Sequence, residues 1–257
     1  MDAEIFSVTA GAAFISTLLF GLATLRSVRR TPRERRTLPG SLTLGAALCT
    51  VGSLCAVPAI EDSIEGVTHI DNVGRLGAHL CGIGLCAGLR AAMTEWTHGV
   101  DCRGRAALLR MTKGGLVAAT AIAIFATHNR CGLDFTSSFA RDRGVAAYLG
   151  VVYAYGLWVG ATTATTAGTL AVENLRSTEH RALGLGQAIL GVGGAACVVY
   201  TAAEAAFLLS QQVFGRAWAL SVEQTLSSLC AGLFMFCSFV GLILSSVARP
   251  LLAALKR

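Results

Sequence analysis

Apolar residues in this chain are grouped in long runs rather than scattered. Seven runs stand out, at 5–25, 39–60, 69–92, 113–128, 145–171, 183–209 and 222–248. About 20 consecutive apolar residues cross a bilayer as a helix. The pattern therefore predicts an all-α integral membrane protein, a seven-transmembrane-helix bundle in the cell membrane. The fourth run is the shortest, and the connections between runs leave no room for a large soluble domain. Residues 1–257 read as one transmembrane domain.

Composition agrees with this pattern. The chain is 54% hydrophobic and 14% charged, with a mean hydropathy of +0.62. A soluble domain carries about 25% charged residues. The 21 Lys and Arg residues concentrate in 26–36, 90–113, 176–181 and 249–257. Only Arg75, Arg130, Arg141, Arg143 and Arg216 fall on the other side of the seven-span scheme. The positive-inside rule then places the N-terminus outside and the C-terminus in the cytoplasm. These basic connections are short and lack aromatic interleaving, so nucleic acid is not expected as a partner. The start, MDAEIF, lacks the basic n-region of a signal peptide, so the first run reads as a retained helix.

The connections carry further expectations. Residues 61–71, EDSIEGVTHID, read as an acidic outer loop, either solvated or forming an anionic rim that could partner Arg75. The segment RGRAALLRM before the fourth run reads as a short amphipathic helix on the membrane surface. In the fifth run, Thr162, Thr163, Thr165, Thr166 and Thr169 can return their hydroxyls to the backbone. The sixth run opens with Gly184, Gly186, Gly191, Gly193 and Gly194, which signal close packing or a bend.

Polar side chains inside the runs are the candidate site. Asn72, Arg75 and His79 stand at i, i+3 and i+7, one stripe of a helix that must face protein or water. Tyr200 and Glu204 lie one turn apart, with Glu204 roughly 9 Å below the helix end counted from Ser210. Glu223 and Gln224 open the seventh run. Arg75, His79, Glu204 and Glu223 all fall toward the outer ends of their helices. The simplest arrangement is an outward-opening polar cluster in which Arg75 pairs with Glu204 or Glu223, while Tyr200 and His79 complete the hydrogen bonds. Asn72, Arg75, His79, Tyr200, Glu204 and Glu223 are therefore the expected ligand-binding residues.

Several chemistries lack their motif. The nine cysteines include no CxxC pair, and H-E-x-x-H and G-x-S-x-G are absent, so neither a metal nor a cofactor is expected. Helix 7 has no lysine for a retinal Schiff base. The remaining readings are a binding protein for a small or lipid-like solute, acting as transporter or sensor, an intramembrane acid/base enzyme of the terpene cyclase kind, or a structural interaction protein. Membrane lipids, a small apolar ligand, a cytoplasmic protein or further copies of the chain are the expected partners.

The order GVTHIDNVGRLGAHL, FARDRGVAAYLGVVYAYG and HRALGLGQAILGVGGAACVVYTAAE resembles a family of actinobacterial seven-span integral membrane proteins. That family is labelled only as transporters and is often encoded near helix-turn-helix regulators. The resemblance covers nearly the whole chain, with Asn72, His79, Tyr148, Gly184 and Tyr200 on the family pattern and Arg75 departing from it. It implies the seven-span fold more than any particular activity.

Overall fold

The computed structural model describes residues 47–48, 50–52, 54–55, 57–97, 100–129, 135–216 and 218–255. The first predicted run, at 5–25, and part of the second lie outside the described residues. Those of 47–55 that are described are helical. They are followed by α1 (Pro58–Thr68), α2 (Val73–Thr97), α3 (Val100–His128), α4 (Arg143–Leu175), α5 (Arg181–Phe214) and α6 (Leu220–Leu255). Short 3-10 turns at Ser137–Phe139 and Thr178–His180 precede α4 and α5. Five helices are long and apolar enough to cross a membrane, over Val73–Thr94, Leu108–His128, Arg143–Leu175, Arg181–Phe214 and Thr225–Ser245. The chain is thus a multi-pass, all-α integral membrane protein.

Two of the expected connections take a different form. Residues 58–68 form α1 rather than a loop. Pro58 opens the helix, Glu61 lies in the first turn, and His69 closes it in the left-handed region with its N–H on the Glu65 carbonyl at 2.8 Å. Proline suits a first turn whose N–H would be unbonded anyway, and an acid there meets the positive end of the helix dipole. The segment RGRAALLRM is not a separate surface helix, because α3 runs without a break from Val100 to His128. Nothing within 103–111 interrupts it, since no proline or turn signal intervenes.

His69 and Asn72 both have positive φ, 55° and 62°. Two left-handed residues within four positions turn the chain sharply from α1 into α2. Asn tolerates this region better than most residues. Asn72 therefore precedes α2 and is not on its stripe, which corrects the i, i+3, i+7 expectation. Its backbone N–H donates to Glu65 Oε1 at 2.6 Å and its Nδ2 to Asn129 Oδ1 at 3.1 Å. These bonds tie the α1–α2 turn to the end of α3.

α4 starts with a well-formed cap. Asp142 accepts from the N–H groups of Gly144 and Val145 at 2.8 and 3.1 Å, an arrangement worth about 1 kcal/mol. Thr162, Thr165 and Thr169 donate to the carbonyls of Trp158, Ala161 and Thr165 as expected, whereas the buried Thr163 hydroxyl departs from the expectation and bonds nothing among the described residues. The glycine-rich half of α5 contains no break, since the helix is continuous from Arg181 to Phe214. Its glycines serve close packing. A Cβ on Gly194 would lie 2.6 Å from the Ala164 nitrogen, and one on Gly186 would lie 2.8 Å from the Ser245 nitrogen. α5 is the central helix, packed tightly against α4 on one side and α6 on the other.

Candidate functional site

A cavity of about 360 Å³ opens among α2, α4, α5 and α6. Its lining includes Arg75 and His79 from α2, Tyr153 from α4, Tyr200 and Glu204 from α5, and Phe234 from α6, with Glu61 of α1 at one end. Arg75 and Cys86 both line it, and their separation of eleven positions gives the cavity a length of roughly 16 Å along α2. Four of the six expected residues, Arg75, His79, Tyr200 and Glu204, therefore share one space. Asn72 does not line it. Glu223 lies just behind it, fully buried.

Arg75 does not reach either predicted acid. Its Nε pairs with Glu61 Oε1 at 3.1 Å, and its side chain remains 39% exposed. The helical form of 58–68 explains this, because α1 packs against the start of α2 and carries Glu61 to within reach. The acidic 61–71 segment thus supplies the partner for Arg75. A pair this exposed stabilises the fold little, and it leaves a polarised group at the cavity end.

His79 also has a partner that the sequence did not reveal. Its Nδ1 lies 2.9 Å from the Tyr148 hydroxyl, and the two rings are 5.4 Å apart. Tyr148 is held by Phe135, edge to face at 5.0 Å, and both are buried. The His79 ring is therefore oriented from behind.

The two glutamates meet through a hydroxyl. Ser227 Oγ lies 2.7 Å from Glu204 Oε1 and 3.2 Å from Glu223 Oε1, and Trp218 Nε1 donates to Glu223 Oε2 at 2.5 Å. Ser227 and Glu223 are one turn apart on α6, while Glu204 faces them from α5. A serine hydroxyl has one proton. It can donate to one carboxyl and accepts from the other only if that carboxyl carries a proton. The hydroxyl therefore serves one carboxyl at a time and links Glu204 to Glu223. Two full negative charges side by side in a membrane interior would also be costly.

Glu204 is 5% exposed, and the Tyr153 hydroxyl approaches its carboxyl as a side-chain hydrogen-bond donor. Tyr153 stands beside this carboxyl, its ring edge to face with Tyr200 at 6.0 Å. Because α5 continues to Phe214, Glu204 lies ten residues, about 15 Å, below the helix end. This is deeper than the sequence suggested. A carboxyl oxygen at that depth, bordering a cavity, can accept a bond from a ligand hydroxyl or ammonium.

Deeper in, the lining becomes apolar, with Ile83, Leu85, Cys86 and Met235. Cys197 directs its thiol to the Gly156 carbonyl at 3.5 Å, consistent with a small hydrophobe that needs no partner beyond the backbone. Tyr153, Tyr148, Ser227 and Trp218 are the members of the site that sequence reasoning did not place. Only Ser227 carried a signal, being four residues after Glu223. No family model, curated protein or solved structure matches the chain.

Proposed function

We propose that this chain is a seven-span membrane-embedded binding protein, N-terminus outside and C-terminus cytoplasmic, that takes up a small apolar or lipid-like solute as a transporter or sensor. The observation that carries the reading is the division of the cavity. Arg75, Glu61, His79, Tyr200 and Glu204 line it toward one end, and the part beside Cys86 is lined mainly by aliphatic, thiol and thioether groups together with Tyr155. A solute with a polar head and an apolar body fits that division. Ligand sites are commonly apolar clefts with a few placed polar groups, in the size range of about 300–1,000 Å³. The resemblance to the actinobacterial family enters this proposal at the level of topology.

Helices α2 to α6 each run unbroken, whereas many transporters bind at discontinuous helices. This favours sensing, with the signal passed to a cytoplasmic partner. A second reading, intramembrane acid/base catalysis, draws on the Ser227 hydroxyl that bridges Glu204 and Glu223, since carboxyls in unlike surroundings can divide acid and base roles.

The test is untargeted mass spectrometry of molecules retained by the gently purified protein, with the wild type compared with Glu204→Gln. An amphiphile retained by the wild type and reduced about tenfold in the variant is expected, from loss of one bond to a charged group. Conversion of such a molecule by membranes containing the wild type would favour the catalytic reading. Absence of any specific molecule from the wild type would contradict both.

A further inference from the structure

The opposite end of the bundle holds a second cavity, of about 250 Å³, lined by Arg90, Met93, Thr94, Thr97, Arg110 and Thr166. We infer that this is an oxyanion site that holds a phosphate group, supplied by an anionic lipid headgroup or by a free phosphate. The inference is independent of what the larger cavity binds.

Its basis is a group of cations without an anion among the described residues. Arg90 is only 7% exposed, and its Nε is buried with no acceptor. Arg110 is partly buried, and its Nε is likewise buried without an acceptor. The two guanidinium groups are close enough to repel each other. Lys113 joins them, because its Nζ lies 5.2 Å from the Trp158 ring centroid while Arg90 Cζ lies 5.6 Å from the same ring. No described carboxylate lines the cavity or pairs with any of the three.

A cation–π contact with one ring stabilises a guanidinium only modestly. That alone does not offset an arginine buried among membrane helices beside two further positive charges. An oxyanion does, since a guanidinium fork bonds phosphate oxygens in pairs. The position also suits a lipid. Arg90 lies four residues before the end of the Val73–Thr94 span and Arg110 two residues into the Leu108–His128 span. Both therefore stand near one membrane face, at the level of the headgroups.

The experiment measures thermal unfolding of the whole protein in a neutral detergent against three probes: short-chain phosphatidylglycerol, short-chain phosphatidylcholine and inorganic phosphate. Phosphatidylglycerol is expected to raise the apparent Tm of the wild type well above the effect of phosphatidylcholine. Its apparent affinity is expected to fall about tenfold in Arg90→Gln and in Arg110→Gln, and less in Arg90→Lys. Equal stabilisation by inorganic phosphate would support the site and assign it to the free anion. If Arg90→Gln does not fold, Arg110→Gln and the exposed Lys113→Gln give the same reading. Binding of phosphatidylglycerol undiminished in those variants, or no response of the wild type to either anion, would overturn the inference.

Discussion

Gly186→Leu is expected to unfold at a much lower temperature than the wild type, with a loss of about 3 kcal/mol from overpacking. The reason is a reciprocal close approach of α5 and α6. A Cβ on Gly186 would lie 2.8 Å from the Ser245 nitrogen and 3.0 Å from the Gly241 carbonyl. A Cβ on Gly241 would lie 2.7 Å from the Gly186 carbonyl and 2.8 Å from the Leu190 nitrogen. The obstacles are backbone atoms, so no side chain can turn away to make room. The helices would have to separate, and the contact between Glu204 on α5 and Ser227 on α6 would open with them. Gly168→Ala supplies the contrast, because a Cβ there meets nothing within 4 Å. It should leave the apparent Tm unchanged or raise it, by at most about 1 kcal/mol. Thermal unfolding in detergent checks both variants.

The second large effect is expected at Glu223. Glu223→Leu removes the acceptor of the Trp218 indole N–H and one of the two carboxyls that bracket Ser227. Leaving a buried donor unpaired costs about 1–3 kcal/mol, and a loss of about 2 kcal/mol is expected. Glu223→Gln keeps an acceptor for Trp218 and adds a donor toward Ser227, so it should cost less than about 1 kcal/mol. Glu204 and Glu223 share one hydroxyl, so their effects should not add. In the double variant Glu204→Leu with Glu223→Leu, neither acid remains to be satisfied, and the Ser227 hydroxyl can turn to its own helix. The double loss should therefore be smaller than the sum of the two single losses. Additive losses would show that the two carboxyls do not act as one unit.

The membrane class was legible because lipid demands long apolar runs with their backbone bonds satisfied internally. The runs at 69–92, 145–171, 183–209 and 222–248 each fall within or against a helix, α2, α4, α5 and α6. The fourth run was legible only in part. Its helix begins at Val100, well before the apolar stretch, because helix continuity depends on the backbone and not on hydropathy. The helix at Pro58–Thr68 was missed for the opposite reason. Its acidic composition suggests a loop, yet its proline start and left-handed His69 are ordinary helix boundaries.

The site was legible as a set of depths but not as a set of pairs. Arg75, His79, Tyr200 and Glu204 do line one cavity, because intramembrane polar groups have few places to go. Their partners depend on rotation about each helix axis, which sequence does not specify between distant segments. Arg75 meets Glu61, in the acidic segment that the sequence offered as its partner, rather than Glu204 or Glu223, and His79 meets Tyr148, across intervals of 14 and 69 residues. The basic residues near the other end were misjudged in a different way. Arg90 counts toward a topology bias in the sequence, yet in the fold it is buried against Trp158.

The account stands on the cavity between α2 and α5 being a ligand site with a polar end and an apolar end. A density map of the wild type in lipid nanodiscs tests this most directly. The account predicts elongated non-protein density running from Arg75 toward Cys86, with a polar atom in hydrogen-bonding range of Glu204 Oε2. A map in which side chains fill that space, or in which Glu204 and His79 face lipid, would contradict it.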